Sequence, residues 1–147
     1  MGISFAYPDN WKLKEKTKDN TVTSITVAPV QASLASWFTH GVFLGHISPT
    51  KQMTLEQEFD ALATNFHKTN GMTFSGAKRP TTVGGQPGFS TVYNAPSPFS
   101  AGERGYFILA KDKNDGYLWL LMFQPSNETP EAWQQAFLNM LQSVKFQ

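Results

Sequence analysis

Apolar positions along this chain change period several times, and each change marks an element. Ile3, Phe5 and Tyr7 alternate with Ser4 and Ala6 until Pro8-Asp9-Asn10 stops the pattern. That is the period of a half-buried strand. A second strand begins at Trp11, a third covers residues 24–27 and ends at Pro29, and a fourth covers 42–47 and ends at Pro49. The spacing then lengthens. Leu55, Phe59, Leu62 and Phe66 fall at the i, i+4, i+7, i+11 positions of one helix face. Thr54 and Gln57 have the spacing of a capping box, and Asn70-Gly71 supplies a left-handed stop. Glu56, Glu58 and Asp60 lie at the positive end of the helix dipole and His67 and Lys68 at its negative end. A helix is therefore expected over 54–70.

Strands near 77–83 and 86–94 follow, joined across Gly84-Gly85, a two-residue hairpin signal. A Pro/Ser/Gly loop over 94–105 leads to strands near 105–112 and 117–124, which flank Asn114-Asp115-Gly116. Every residue from Tyr117 to Phe123 is apolar. A strand apolar on both sides must be covered on both faces. The last helix, 129–144, opens on Thr129 with Pro130 at its first position, where the missing N–H costs nothing. Its buried stripe is Trp133, Phe137, Met140, Leu141 and Val144. The expected fold is α+β, a mainly antiparallel sheet covered by helices.

Three stretches resemble a known family. The opening Ile3-Ser4-Phe5-Ala6-Tyr7-Pro8-Asp9-Asn10-Trp11 is similar to the start of PsbP-like domains, Val83-Gly84-Gly85-Gln86-Pro87-Gly88 to their central hairpin, and Trp133, Phe137, Leu141 and Ser143-Val144-Lys145-Phe146 to their close. The resemblance spans nearly the whole chain and implies an α/β/α sandwich of the PsbP/Mog type. Within the family, the chain most resembles a domain found C-terminal to HExxH zinc metallopeptidases in soil bacteria. The shared positions are structural, so no catalytic residue is carried over.

Composition narrows the function classes. The 147 residues suit one domain with a core of its own. The absence of cysteine removes disulfides, thiolate metal sites and thiol nucleophiles. A net charge of +1 argues against nucleic acid, whose binding needs clustered cations. No apolar run is long enough for a transmembrane helix. Thr, Ser, Gln and Asn together outnumber the 12 basic and 11 acidic residues, a habit of exported bacterial proteins. The chain enters strand sequence with no basic-then-apolar leader, so the expectation is a domain cut from a longer polypeptide and placed outside the cytoplasm.

Candidate chemistry is sparse. His40, His46 and His67 form no metal-binding spacing. Glu56 and Asp60 share a helix face, as paired carboxylates do in acid–base catalysis, but acids belong at a helix start for dipole reasons. Gly84–Gly88 lacks the lysine and the following helix of a phosphate loop, and Gly88-Phe89-Ser90 lacks the second glycine of a nucleophile elbow. Lys12, Lys14, Lys16 and Lys18 alternate, which puts them on one face of an extended strand and reads as an edge guarded against aggregation. Leu34-Ala35-Ser36-Trp37-Phe38-Thr39 places large aromatics in a loop between strands, either as a plug of the core or as a contact surface. Pro96-Ser97-Pro98-Phe99 is a second such loop.

The expectation is thus a non-catalytic accessory or binding domain with no cofactor and no metal. It contacts a protein partner, or an upstream catalytic domain of the same chain, through Leu34, Trp37, Phe38 and Phe99. Two other readings stand beside it: a small-molecule-binding or hydrolytic domain with a pocket between sheet and helix, and a structural oligomerisation module.

Overall fold

The computed structural model describes residues 3–9, 11–18, 22–29, 33–34, 37–38, 41–47, 53–96, 102–113, 116–125 and 131–147. Side chains are described for these except at 12–18, 22–29, 33–34, 37–38, 125 and 131–133. In chain order the elements are β1 (Ile3–Ser4), β2 (Trp11–Lys18), β3 (Val22–Pro29), β4 (Ser33–Leu34), β5 (Trp37–Phe38), β6 (Gly41–Ile47), α1 (Leu55–Asn70), β7 (Thr73–Val83), β8 (Gln86–Ala95), β9 (Glu103–Lys111), β10 (Tyr117–Pro125), α2 (Glu131–Ser143) and β11 (Lys145–Phe146). Seven strands form one sheet in the order β2-β3-β6-β10-β9-β8-β7, and every neighbouring pair is antiparallel. β1 pairs with β11 and β4 with β5 in separate two-stranded ladders.

The unbroken apolar run of β10 is used on both faces, as its composition requires. Leu118, Leu120 and Met122 join Val42, Leu44, Ile108 and Ala110 in a core with Phe137 and Met140 of α2 and with Val144 just past its end. Tyr117 and Trp119 join Phe107, Leu109 and Tyr93 in a second core with Phe59 of α1. Because successive strand residues point to opposite faces, the three central strands are shared between two cores. The fold is an α/β/α sandwich.

α1 forms where its signals place it. The Gln57 amide donates to Thr54 Oγ1 at 3.1 Å and the Thr54 amide to Gln57 Oε1 at 3.0 Å, completing the capping box. Gly71 closes the helix at φ 67°, the left-handed region open to glycine. The caps expected for α2, Thr129 and Pro130, and the side chain of Trp133 lie outside the described residues.

Four local expectations need correction. First, the N-terminal strand is only β1, because beyond Ser4 the chain bonds to a helix instead of a strand: the Ala6 amide donates to Ser143 Oγ at 2.7 Å. Second, the helix expected to reach 144 stops at Ser143, and Lys145–Phe146 form β11, which pairs with β1, Ile3 opposite Phe146. Third, β7 starts at Thr73, ahead of the expected position. A bulge sets Gly76, Ala77 and Lys78 opposite the single residue Thr91, and this breaks the alternation that would have revealed the strand. Fourth, the regular alternation assumed for Lys12, Lys14, Lys16 and Lys18 of β2 is interrupted, and their side chains lie outside the described residues. A bulge between Leu13 and Glu15 pairs Lys12 with Ala28 but Lys16 with Ile25 and Lys18 with Thr23, so the register shifts past Lys14.

β2 and β7 are the two edges of the sheet. Each carries a bulge, and β7 also carries Pro80, which has no amide to offer a further strand.

Candidate functional site

Three polar clusters stand out among the described residues, and the acids in each are engaged in internal contacts. Glu56 and Asp60, the carboxylates spaced for acid–base chemistry, both receive Lys78 from the β7 bulge. Its Nζ lies 2.9 Å from Glu56 and 2.7 Å from Asp60. The same ammonium sits 5.9 Å from the ring centre of Phe59 and 5.6 Å from that of Phe89. The arrangement clamps the first turns of α1 to the edge strand. Both carboxylates are exposed and paired, which is the environment of a surface ion-pair network and not of a tuned acid–base couple.

The second cluster joins parts of the chain that sequence alone did not connect. His46 follows Val42 and Leu44 in the alternation of β6, and its Nε2 contacts Asp112 Oδ2. Asp112 begins the β9–β10 turn and is 7% exposed. Its Oδ1 accepts the Gly116 amide at 2.8 Å, while its own amide donates to the Gly116 carbonyl at 2.9 Å. A Cβ on Gly116 would lie 2.6 Å from Asp112 Oδ2 and 2.8 Å from His46 Nε2, so the pair closes over a glycine. This His–Asp contact orients an imidazole, yet its visible work is to fasten the turn to β6. Asp112→Ala should therefore cost about 1–3 kcal/mol, the range for leaving a buried donor unsatisfied. Urea denaturation checks this, and a loss under ~0.5 kcal/mol would mean that the turn holds without its carboxylate.

The third cluster lies on the α1 face. The Tyr93 hydroxyl, fully buried, donates to Glu103 Oε1 at 3.0 Å. Two residues earlier on the same strand, the Thr91 hydroxyl is buried with no hydrogen-bond partner. Neither group had a sequence signal, because Tyr93 and Thr91 sit at ordinary core positions of an alternating strand.

The histidines behave as structural residues where they are described. His67 Nδ1 is 2.8 Å from the Met72 carbonyl, just past the end of α1, and His40 lies outside the described residues. No group of three or more metal-ligating residues occurs among the described residues.

Three of the expected contact residues, Leu34, Trp37 and Phe38, fall on the connection between β3 and β6. Among its described residues, Ser33 pairs with Phe38 and Leu34 with Trp37, making β4 and β5 a small ladder apart from the main sheet. These two ladder pairs were hidden from the sequence because no turn motif announces them. The side chains of Leu34, Trp37 and Phe38 lie outside the described residues, as does all of Phe99. No described helix is long and apolar enough to cross a membrane.

No protein-family model matches the sequence, and no curated protein matches it. Among solved structures, the chain is similar to LpqN, a protein involved in cell envelope biogenesis of Mycobacterium tuberculosis. The TM-score is 0.63 at 11% identity, over 97% of this chain and 82% of that one. It is also similar to TplEi, an immunity protein of the type VI secretion system (T6SS) of Pseudomonas aeruginosa, with a TM-score of 0.52 at 11% identity over 95% of this chain. The match spans 46% of the TplEi chain. At such identity these proteins share the fold.

Proposed function

We propose that this chain is a non-catalytic, protein-binding accessory domain of a larger exported bacterial protein. Its PsbP-like sequence features favour a zinc metallopeptidase as the parent. The observation that carries the reading is where surface is left over. Both faces of the central strands are committed to helices, and both sheet edges are blunted by bulges. The polar clusters are spent on internal bonds. The β4–β5 ladder is paired apart from the main sheet and carries Leu34, Trp37 and Phe38, residue types that anchor interfaces when aromatic. The blunted edges also weigh against an oligomer built by strand addition. A fold shared with a protein of cell envelope biogenesis supports the extracytoplasmic placement.

The test is a Trp37→Ala, Phe38→Ala double substitution, followed by calorimetric titration against the remainder of the parent polypeptide. The melting temperature should stay near that of the wild type, while affinity falls at least about tenfold, the consequence of losing over ~1.4 kcal/mol at an anchor. A double mutant that unfolds easily would make these aromatics core plugs. One that folds and still binds at full affinity would remove the ladder from the interface.

A further inference from the structure

Glu103 is an acid with no cation paired to it among the described residues, and its hydrogen-bond partner is a phenol. It opens β9, and its register partners are Ala95 and Pro125. The titratable group facing it from β8 is Tyr93, which donates to it at 3.0 Å. From β10, the same face carries Leu121 and Phe123, both packed against the α1 core. Arg104, next in β9, belongs by alternation to the opposite face. Lys78 of β7 is bound to Glu56 and Asp60 at the other end of α1. In the last turn of α1, His67 and Lys68 are exposed, and His67 Nδ1 is directed at the Met72 carbonyl. Ionising Glu103 therefore places a negative charge beside an aromatic core with a phenol as its partner. Protonating it removes that charge and leaves an oxygen that still accepts from Tyr93.

We propose that Glu103 makes this domain acid-responsive, its protonation removing a charge held against the α1 half of the core while Tyr93 still donates to it. The inference does not depend on the binding role. Burial raises the Glu103 carboxyl above its ordinary value, while the Tyr93 hydrogen bond pulls the other way. Burial, with the Glu103 charge second, pushes the Tyr93 hydroxyl well up, so it stays a donor throughout. The sign follows from linkage. A carboxyl whose folded value is raised contributes stability that is complete below its unfolded value of 4.5 and is lost as pH climbs through the folded one.

The test combines a carboxyl-carbon NMR titration of Glu103 with melting curves from about pH 4 to about pH 8 for the wild type and Glu103→Gln. The Glu103 midpoint should lie above 4.5. The melting temperature of the wild type, relative to Glu103→Gln, should be highest at the acid end and decline until the carboxyl is fully ionised. Tyr93→Phe should move the midpoint further up, because it removes the bond that favours the charged form. A wild-type midpoint at or below 4.5, or parallel melting curves, would overturn the proposal. If Glu103→Gln does not fold, the wild-type titration decides alone.

Discussion

Phe107→Ala should cost this domain about 3–5 kcal/mol, the range for deleting a fully buried aromatic. The ring is inaccessible to solvent and is the hub of the α1 layer. It stacks on Phe59 at 4.8 Å between centres, meets Phe66 edge-on at 5.5 Å and lies 5.9 Å from Phe74. Phe59 and Phe66 are the residues by which α1 grips the sheet, so the cavity opens under the helix itself. Hydrogen exchange should accordingly speed up first along α1. Phe107→Leu keeps much of the volume and should cost less than ~1.5 kcal/mol beyond its lost area. If urea denaturation finds Phe107→Ala within ~1 kcal/mol of wild type, the helix is not seated on this ring and the α1 core is wrongly assigned.

The second large effect sets packing against propensity. Gly45 lies in β6 opposite Trp119 of β10, and the indole lies over the glycine, occupying the space where a Cβ would stand. Trp119 is held there by stacking on Phe43 at 5.1 Å and by the edge of Phe66 at 5.7 Å. Valine is a far better strand residue than glycine, worth up to ~1 kcal/mol. Even so, Gly45→Val should destabilise by about 3 kcal/mol, the upper part of the overpacking range, because the indole must leave its stack. Trp119→Leu introduced in the Gly45→Val background should recover part of the loss, with a coupling energy of about 0.5–3 kcal/mol. Additive losses in that cycle would show that the indole and the glycine do not share space.

The elements visible in the sequence were those built by local rules. Thr54, Gln57 and Gly71 predicted both ends of α1 because capping is settled within a few residues of chain. Gly84 and Gly85 predicted their turn, and both adopt positive φ, 57° and 79°. Where a single inserted residue or segment interrupts alternation, as at Lys14 or at Gly76–Lys78, the period fails as a guide. The strand then continues because its neighbour offers hydrogen bonds, and a sequence does not display its neighbours.

Polar clusters follow the same division. Glu56 and Asp60 could be placed on one helix face from their spacing, but their fate depended on Lys78, 18 residues beyond Asp60. His46 and Asp112 are 66 residues apart, and Tyr93 and Glu103 meet across a hairpin. A carboxylate is a reactive acid, an ion-pair partner or a turn fastener according to what the fold brings within about 3 Å, the reach of a hydrogen bond. The sequence by itself determined the α+β class, α1 with its caps, the central hairpin turn and a β10 covered on both faces, since periodicity and capping are short-range physics. Tertiary structure alone decided which strands are edges, how β7 and β2 are blunted, that residues 33–34 pair with 37–38, and which partner each acid meets, because those depend on register and burial between distant segments.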